Sequence, residues 1–215
     1  MTWPIWMTLT ACVGLLIAEH RQSTSLKWAT KPIAALGFVL LALERGAMDS
    51  SYGLTLLAGL ILCMLGDLLL IPDNQKSFLG GIGAFLLGHV LFAVAFFARG
   101  TDTTTVLASA LPLCAIGLLV YRWLSPHLEG FMQKAVIAYI LAIMTMVAGA
   151  IGTTMLTGSA ASAITIGAIG FMISDLSVAR DRFVAPGFVN RIWGAPLYFI
   201  AQLILATTAS LGLST

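Results

Sequence analysis

Residues 52–71 read YGLTLLAGLILCMLGDLLLI, and this stretch decides the fold. It has twenty residues and only one charged side chain, that of Asp67. An α-helix needs about 20 mostly apolar residues to cross the hydrocarbon core of a bilayer. The stretch therefore predicts a transmembrane helix.

The rest of the chain has the same character, since 59% of its 215 residues are apolar and only 9% are charged. About a quarter of the residues in an ordinary soluble domain are charged. Apolar stretches predict eight spans, at residues 3–18, 29–43, 52–71, 79–98, 104–121, 133–151, 160–178 and 192–212. We predict an all-α polytopic membrane protein, a bundle of about eight transmembrane helices forming a single domain over residues 1–215. The composition excludes a disordered chain, a nucleic-acid binder and a typical soluble enzyme.

Lysine and arginine residues are distributed unevenly over the predicted loops. The loops after helices one, three, five and seven contain Arg21, Lys27, Lys31, Lys76, Arg122, Lys134, Arg180, Arg182 and Arg191. The loops on the other side contain only Arg45 and Arg99. Because positive loops stay in the cytoplasm, we predict that both termini lie on the non-cytoplasmic side of a bacterial-type plasma (inner) membrane.

The two halves of the chain, about residues 1–103 and 104–215, share a faint pattern. Lys31 precedes the second predicted helix and Lys134 the sixth, while Asp67 and Asp175 lie near the ends of the third and seventh. The pattern permits the hypothesis of a weak internal repeat of four plus four helices.

Small residues indicate where helices pack closely in lipid. They share one face on each of two predicted helices: Gly59, Cys63 and Gly66 on the third, and Gly167, Gly170 and Ser174 on the seventh. The three cysteines, Cys12, Cys63 and Cys114, lie in apolar runs without metal-ligand spacing, so we interpret them as small core residues.

Asp67 and Asp175 place carboxylates inside predicted spans, where a charge is costly and is usually functional or paired. Each follows a small residue, Gly66 or Ser174. The predicted topology puts both in the cytoplasmic third of the bilayer, where they could face one another across a shared cavity. The alternative is that each pairs with a lysine or arginine and only fixes the helix packing.

Other polar side chains also fall within the apolar helices. His89 lies beside an aromatic stripe formed by Phe78, Phe85 and Phe92. The stripe is either bundle core, a lipid-facing surface or a slot for an alkyl chain, and His89 is either a packing group or a site residue. The hydroxyl of Tyr139, near the middle of the sixth predicted helix, needs a partner.

The eighth predicted helix carries a polar stripe of Arg191, Tyr198 and Gln202, spaced to face the bundle interior. Arg191 is either a positive-inside residue or a phosphate ligand. Lys31 and Pro32 are predicted to open the second helix. There Lys31 either places a positive charge at the end of a cavity or extends to the membrane interface.

Motifs of several enzyme classes do not occur. Two of the three histidines, His20 and His127, lie in predicted loops, which argues against a zinc hydrolase. The chain has no Gly-x-Ser-x-Gly elbow and no glycine-rich phosphate loop. We therefore predict neither a metal nor a cofactor.

Several sequence blocks occur in a definite order: Thr30-Lys31-Pro32, Ala58-Gly59-Leu60, Gly66-Asp67, Phe78, Gly81, Phe85, Gly88-His89, Tyr139, Gly167-Ala168, Phe171 to Asp175, Ala179, Phe183, Tyr198 and Gln202. As an ordered set, over about residues 30–206, they resemble the YhhN-like lysoplasmalogenase family of membrane proteins. The chain departs from the family at Cys63, where a serine is frequent, and at Phe92, where a tyrosine is frequent.

The resemblance implies hydrolysis of the vinyl ether bond of a lysoplasmalogen, which releases a fatty aldehyde and glycerophospho-ethanolamine or -choline. It implies a lysophospholipid and water as partners, besides the membrane lipids, and no nucleic acid. Asp67 and Asp175 would be the catalytic acid–base pair, in an order that the sequence does not give. The supporting residues would be Lys31 and Arg191 at the phosphate, and His89, Tyr139, Ser174, Tyr198 and Gln202 around the aspartates or the water. The alkyl chain would lie among the aromatic residues of the fourth helix.

Other functions remain open at this point. A small proton- or cation-coupled transporter would use the same two aspartates. A non-catalytic lipid-binding protein would use them only as partners of Lys31 or Arg191. A membrane aspartyl protease is a more distant alternative, because Met64 stands where its Gly-x-Gly-Asp block requires the first glycine. The sequence does not indicate an oligomeric state.

Overall fold

The computed structural model describes residues 2–213, in which all regular secondary structure is helical. The eight α-helices are α1 (Trp3–His20), α2 (Thr24–Glu44), α3 (Ser51–Leu69), α4 (Gln75–Arg99), α5 (Thr103–Leu124), α6 (Phe131–Thr157), α7 (Ser162–Ala179) and α8 (Phe188–Thr207). A π-helical turn, Arg180–Val184, extends α7, and a 3₁₀ segment, Thr208–Leu213, follows α8. The predicted all-α architecture is confirmed.

Seven of these helices, α2 to α8, are long and apolar enough to cross a membrane. The chain is therefore a multi-pass membrane protein. Helix α1 differs because Glu19 and His20, at its end, lower its mean hydropathy. It nevertheless packs along α2 and α8 as part of the same bundle.

The predicted start of α2 is wrong. The helix begins at Thr24, where the side chain of Ser23 accepts a hydrogen bond from the backbone N–H of Leu26. Pro32 consequently lies inside the helix. Lys31 extends from the body of α2 rather than from its first turn, because this cap starts the helix five residues before the predicted span at residue 29.

The helices form a closed ring in the order α1, α2, α3, α4, α6, α7 and α8, with α8 returning to α1. Helix α5 lies outside this ring and packs mainly on α6. Cys12 and Cys63 are buried as predicted, but Cys114 of α5 is exposed because α5 has few neighbours.

The predicted contact faces of small residues are confirmed. A Cβ atom added to Gly59 would lie 2.6 Å from the ring of Phe92, and one added to Gly66 would lie 2.7 Å from that of Phe85. These glycines let α3 approach α4 closely. Gly167 similarly accepts Leu205 of α8, since a Cβ atom there would lie 2.7 Å from its side chain. Close contact between α3 and α4 and between α7 and α8 fixes the walls of the interior.

Candidate active site

One end of the bundle encloses a cavity of about 400 Å³ that all eight helices help to line. The residues that line the cavity come from the helix ends next to the positively charged loops, on the predicted cytoplasmic side. Asp67, Asp175, Tyr139, Tyr198 and Ser174 all line this cavity. The structure thus brings the two intramembrane aspartates together, from α3 and α7, on the wall of one space.

Asp67 has a donor on each of its carboxylate oxygens. The Nζ atom of Lys31 lies 3.3 Å from Oδ1, and the hydroxyl of Tyr198 donates to Oδ2 at 2.7 Å. The side chain is 4% exposed. A buried carboxylate with a cation and a second donor is electrostatically satisfied.

Asp175 has different partners, and both are on Oδ2. The Nε2 atom of His89 lies 3.1 Å from this oxygen, and the hydroxyl of Tyr139 donates to it at 3.4 Å, a long hydrogen bond. The Oδ1 atom has no hydrogen bond or ion pair within residues 2–213. With 14% of its side chain exposed, Asp175 is more open to the cavity than Asp67.

The remaining predicted site residues lie around these pairs. His89 is fully buried and stacks on Phe171, with ring centroids 4.1 Å apart. Ser174 donates to the backbone carbonyl of Phe171 in its own helix. Gln202 is fully buried near the thiol of Cys63, and neither atom of its amide meets hydrogen-bond geometry with another described residue. Gln202 therefore lies in the core behind the cavity rather than on its wall.

Four charged residues form an ion-pair cluster at the cavity mouth, which we call the mouth cluster: Glu19, Lys27, Asp181 and Arg191. Lys27 lies 2.7 Å from Glu19, and Arg191 contacts both Glu19 and Asp181. The cluster joins α1, α2, α8 and the turn after α7. Arg191, considered above as a phosphate ligand, is thus held by two carboxylates of the protein.

Arg182 is the mouth residue that sequence reasoning missed. It lines the cavity, lies over the ring of Phe78 at 4.0 Å, and has no ion pair or hydrogen bond within the described part of the chain. Its one signal in the sequence is the run Arg180-Asp181-Arg182, and the positive-inside rule alone accounts for positive charge in this loop.

Helices α5 and α6 contribute an aliphatic part of the cavity wall. It includes Ile116, Val120, Leu124, Val136, Ile140, Ile143 and Met144. Phe78 and Phe85 also line the cavity, but Phe92 is fully buried against Gly59 and Phe171. The aromatic stripe of α4 is therefore partly cavity wall and partly core. No group of three His, Cys, Asp or Glu side chains among residues 2–213 is arranged to hold a metal ion.

Comparison with known proteins shows which proteins are similar to this chain. The profile of the YhhN family matches residues 26–209. The chain is 31% identical over 183 residues to lysoplasmalogenase TMEM86A of Bos taurus, an alignment that covers 83% of this chain and 75% of that protein. It is 28% identical over 211 residues to the uncharacterized membrane protein YhhN of Escherichia coli, which covers 94% and 97% of the two chains.

A third relative, a lysoplasmalogenase of Mycobacterium bovis, is 33% identical over 136 residues, which is 60% of this chain and 50% of that protein. No solved structure matches the chain significantly. The family profile covers most of the helical bundle, including both aspartates and their partners. The chain therefore belongs to the YhhN family.

Proposed function

We propose that this protein is a lysoplasmalogenase, an intramembrane hydrolase that cleaves the vinyl ether bond of lysoplasmalogens. The products would be a fatty aldehyde and glycerophosphoethanolamine or glycerophosphocholine. One observation carries the proposal: in a chain of the YhhN family, two carboxylates with different partners line one cavity at the predicted cytoplasmic end of the bundle. Relatives of the chain carry the name lysoplasmalogenase.

The chemistry of vinyl ethers suits two carboxyl groups. A proton must reach the carbon of the double bond that is remote from the ether oxygen. The oxocarbenium ion that results must be stabilised until water adds to it. An acid and a carboxylate divide these tasks in glycoside hydrolysis, which passes through a similar cation. Asp67 and Asp175 would divide them here, with Tyr139 and Tyr198 orienting the two carboxyl groups.

The cavity suggests how the substrate lies. Arg182, whose guanidinium is free of protein carboxylates in residues 2–213, would bind the phosphate. The alkenyl chain would extend along the aliphatic wall of α5 and α6. Lys31 would neutralise Asp67. Arg191 would join the helices at the cavity mouth through its ion pairs. We place the protein in a bacterial-type plasma membrane, with the mouth toward the cytoplasm.

The test is aldehyde release by the detergent-purified full-length chain from lysoplasmenyl-ethanolamine and lysoplasmenyl-choline. Asp67→Asn and Asp175→Asn should each lower kcat by at least about 100-fold, the scale of general acid–base catalysis. Asp49→Asn, an exposed aspartate of the turn before α3, is the matched control and should leave turnover unchanged.

An analogue with a saturated ether linkage should not react, because it has no double bond to protonate. Absence of aldehyde release by the folded wild-type protein from either lysolipid would refute the proposal. A proton-dependent solute flux in liposomes without bond cleavage would then support the transporter alternative. Full activity in both aspartate variants would refute the catalytic pair while leaving the hydrolase.

A further inference from the structure

The orientation of His89 determines which of its nitrogens carries a proton. The Nδ1 atom lies 2.7 Å from the backbone carbonyl oxygen of Phe85, one helical turn earlier. A carbonyl oxygen can only accept, so Nδ1 must be the donor. The stacked ring of Phe171 and the edge of Tyr139, with centroids at 4.1 and 5.2 Å, hold the imidazole in this orientation.

The other nitrogen of His89 faces Asp175, at 3.1 Å from Oδ2. If neither atom carried a proton, an unprotonated imidazole nitrogen and a carboxylate oxygen would lie 3.1 Å apart in a buried environment, where they repel each other. One proton on this pair removes the repulsion, as imidazolium with carboxylate or as imidazole with carboxylic acid. The oxygen lies off the N–H direction, and such bonds commonly tighten when substrate binds.

Asp67 needs no proton of its own. The ammonium of Lys31 can only donate, and the hydroxyl of Tyr198 donates to the other oxygen. Both oxygens of Asp67 are therefore acceptors, which is the state of a carboxylate. The two aspartates therefore have different surroundings for a proton, although they are the same residue type on the wall of the same cavity.

We propose that Asp175 is the acid that protonates the vinyl ether, that His89 is the positioning residue that keeps one proton on this pair, and that Asp67 is the carboxylate that faces the cation. The inference rests on the proposed lysoplasmalogenase function. Rotation about the Cβ–Cγ bond of Asp175, which is a soft torsion, turns its protonated oxygen toward the cavity.

The steps balance in protons and electrons. Asp175 gives its proton to the remote alkene carbon, and the π electrons form the new C–H bond. Positive charge spreads over the adjacent carbon and the ether oxygen. Water adds to that carbon and passes a proton to Asp67, which gives a hemiacetal. When the bond from that carbon to the glycerol oxygen breaks, Asp67 returns the proton to the glycerol oxygen, and the hemiacetal hydroxyl proton restores Asp175.

The pH dependence of turnover separates the two roles. The other titratable groups around Asp67, Asp175 and His89 are Cys12 of α1, Lys31 of α2, Cys63 of α3, Tyr139 of α6 and Tyr198 of α8. Thiols, phenols and ammonium groups ordinarily titrate above about pH 8. Between about pH 4.5 and 7.5, a difference between the profiles of a variant and of wild type therefore reports on the carboxyl group or imidazole that the variant removes.

The experiment measures kcat and KM for aldehyde release over this pH range, in purified wild type, Asp175→Asn, Asp67→Asn and His89→Gln. The residual kcat of Asp175→Asn should rise about tenfold for each unit by which pH falls, because hydronium replaces the missing acid. The residual kcat of Asp67→Asn should follow the wild-type profile, because its acid is intact. The rate without enzyme is subtracted throughout.

His89→Gln should keep KM within about twofold and lower kcat at pH 7 by about 10–100-fold, with recovery as pH falls and Asp175 takes a proton from solvent. His127→Gln, an exposed histidine after α5, is the matched control and should behave as wild type. His89→Asn serves in its place if the glutamine variant does not fold. The comparison between Asp175→Asn and Asp67→Asn does not depend on either His89 variant.

Two results would overturn the assignment. One is an exchange of profiles, with Asp67→Asn rescued by acid and Asp175→Asn parallel to wild type. The other is a His89→Gln variant whose kcat is lowered by the same factor at every pH, which is the behaviour of a purely structural residue. Failure of the proposed function is distinct, because wild type itself would then release no aldehyde.

Discussion

The cavity interior and the mouth cluster use similar residues in opposite ways. At the mouth, Glu19 and Asp181 are neutralised by Lys27 and Arg191, so that two anions meet two cations. In the interior, Lys31 is the one cation in contact with the two aspartates within residues 2–213, and the other partners are a histidine and two tyrosines. The mouth is internally satisfied and can join helices. The interior retains a carboxylate oxygen, Oδ1 of Asp175, that is free to meet a substrate.

The largest difference between the two regions is expected when one lysine is changed in each. Lys31 and Lys27 lie one turn apart on α2, and each contacts one carboxylate. Lys31→Gln should lower kcat by about 100-fold at pH 7, because Asp67 loses the cation that keeps it ionised. Activity should partly recover as pH rises, the opposite direction to that expected for His89→Gln.

Lys27→Gln is the matched control, and we expect less than about a threefold change in kcat because Arg191 still neutralises Glu19. Both variants are compared with wild type by aldehyde release from pH 5 to 9 and by thermal unfolding in detergent. Equal losses of activity in the two variants would show that the interior and the mouth do not differ in function.

The residues of the interior could be predicted from the sequence, but most of their contacts could not. Asp67, Asp175, His89 and Tyr139 stand out because a polar group in an apolar helix is costly. Pairing of an aspartate with Lys31 was one alternative from the sequence, and the structure has this contact at Asp67. The tyrosine partners could not be assigned, because those contacts cross the bundle: Tyr198 and Asp67 are 131 positions apart, and Tyr139 and Asp175 are 36 apart. A hydropathy profile contains no information on contacts between residues so far apart in the sequence.

The mouth was harder to predict than the interior. Arg191 contacts Glu19 across 172 positions, and charged residues at helix ends are ordinary in membrane proteins. The early start of α2 depends on the Ser23 cap, which lies in a polar stretch that a hydropathy window excludes. The helices themselves follow from apolar length, which is why eight helices in this order could be predicted, although seven of them are long and apolar enough to span a membrane.

A second comparison concerns the two tyrosines of the interior. Tyr198 donates to Asp67 at 2.7 Å, whereas Tyr139 donates to Asp175 at 3.4 Å. Hydrogen bonds to a charged group contribute about 1.5–3 kcal/mol, and long ones contribute less. Tyr198→Phe should therefore lower kcat about tenfold and Tyr139→Phe about threefold. The reverse order in steady-state assays would indicate that Tyr139 moves onto Asp175 when substrate binds.

The smallest expected effect separates the two arginines of the mouth. Arg182 has no protein carboxylate to pair with among residues 2–213, so Arg182→Gln should raise KM about three- to fivefold with kcat and thermal stability unchanged. Arg191→Gln should instead lower the unfolding temperature and leave KM near that of wild type, because its charge is already used by Glu19 and Asp181. A phosphate contact at an exposed guanidinium is screened by salt, so the KM difference for Arg182→Gln should shrink from 20 mM to 500 mM NaCl. A KM increase for Arg191→Gln without loss of stability would move the proposed phosphate contact to Arg191.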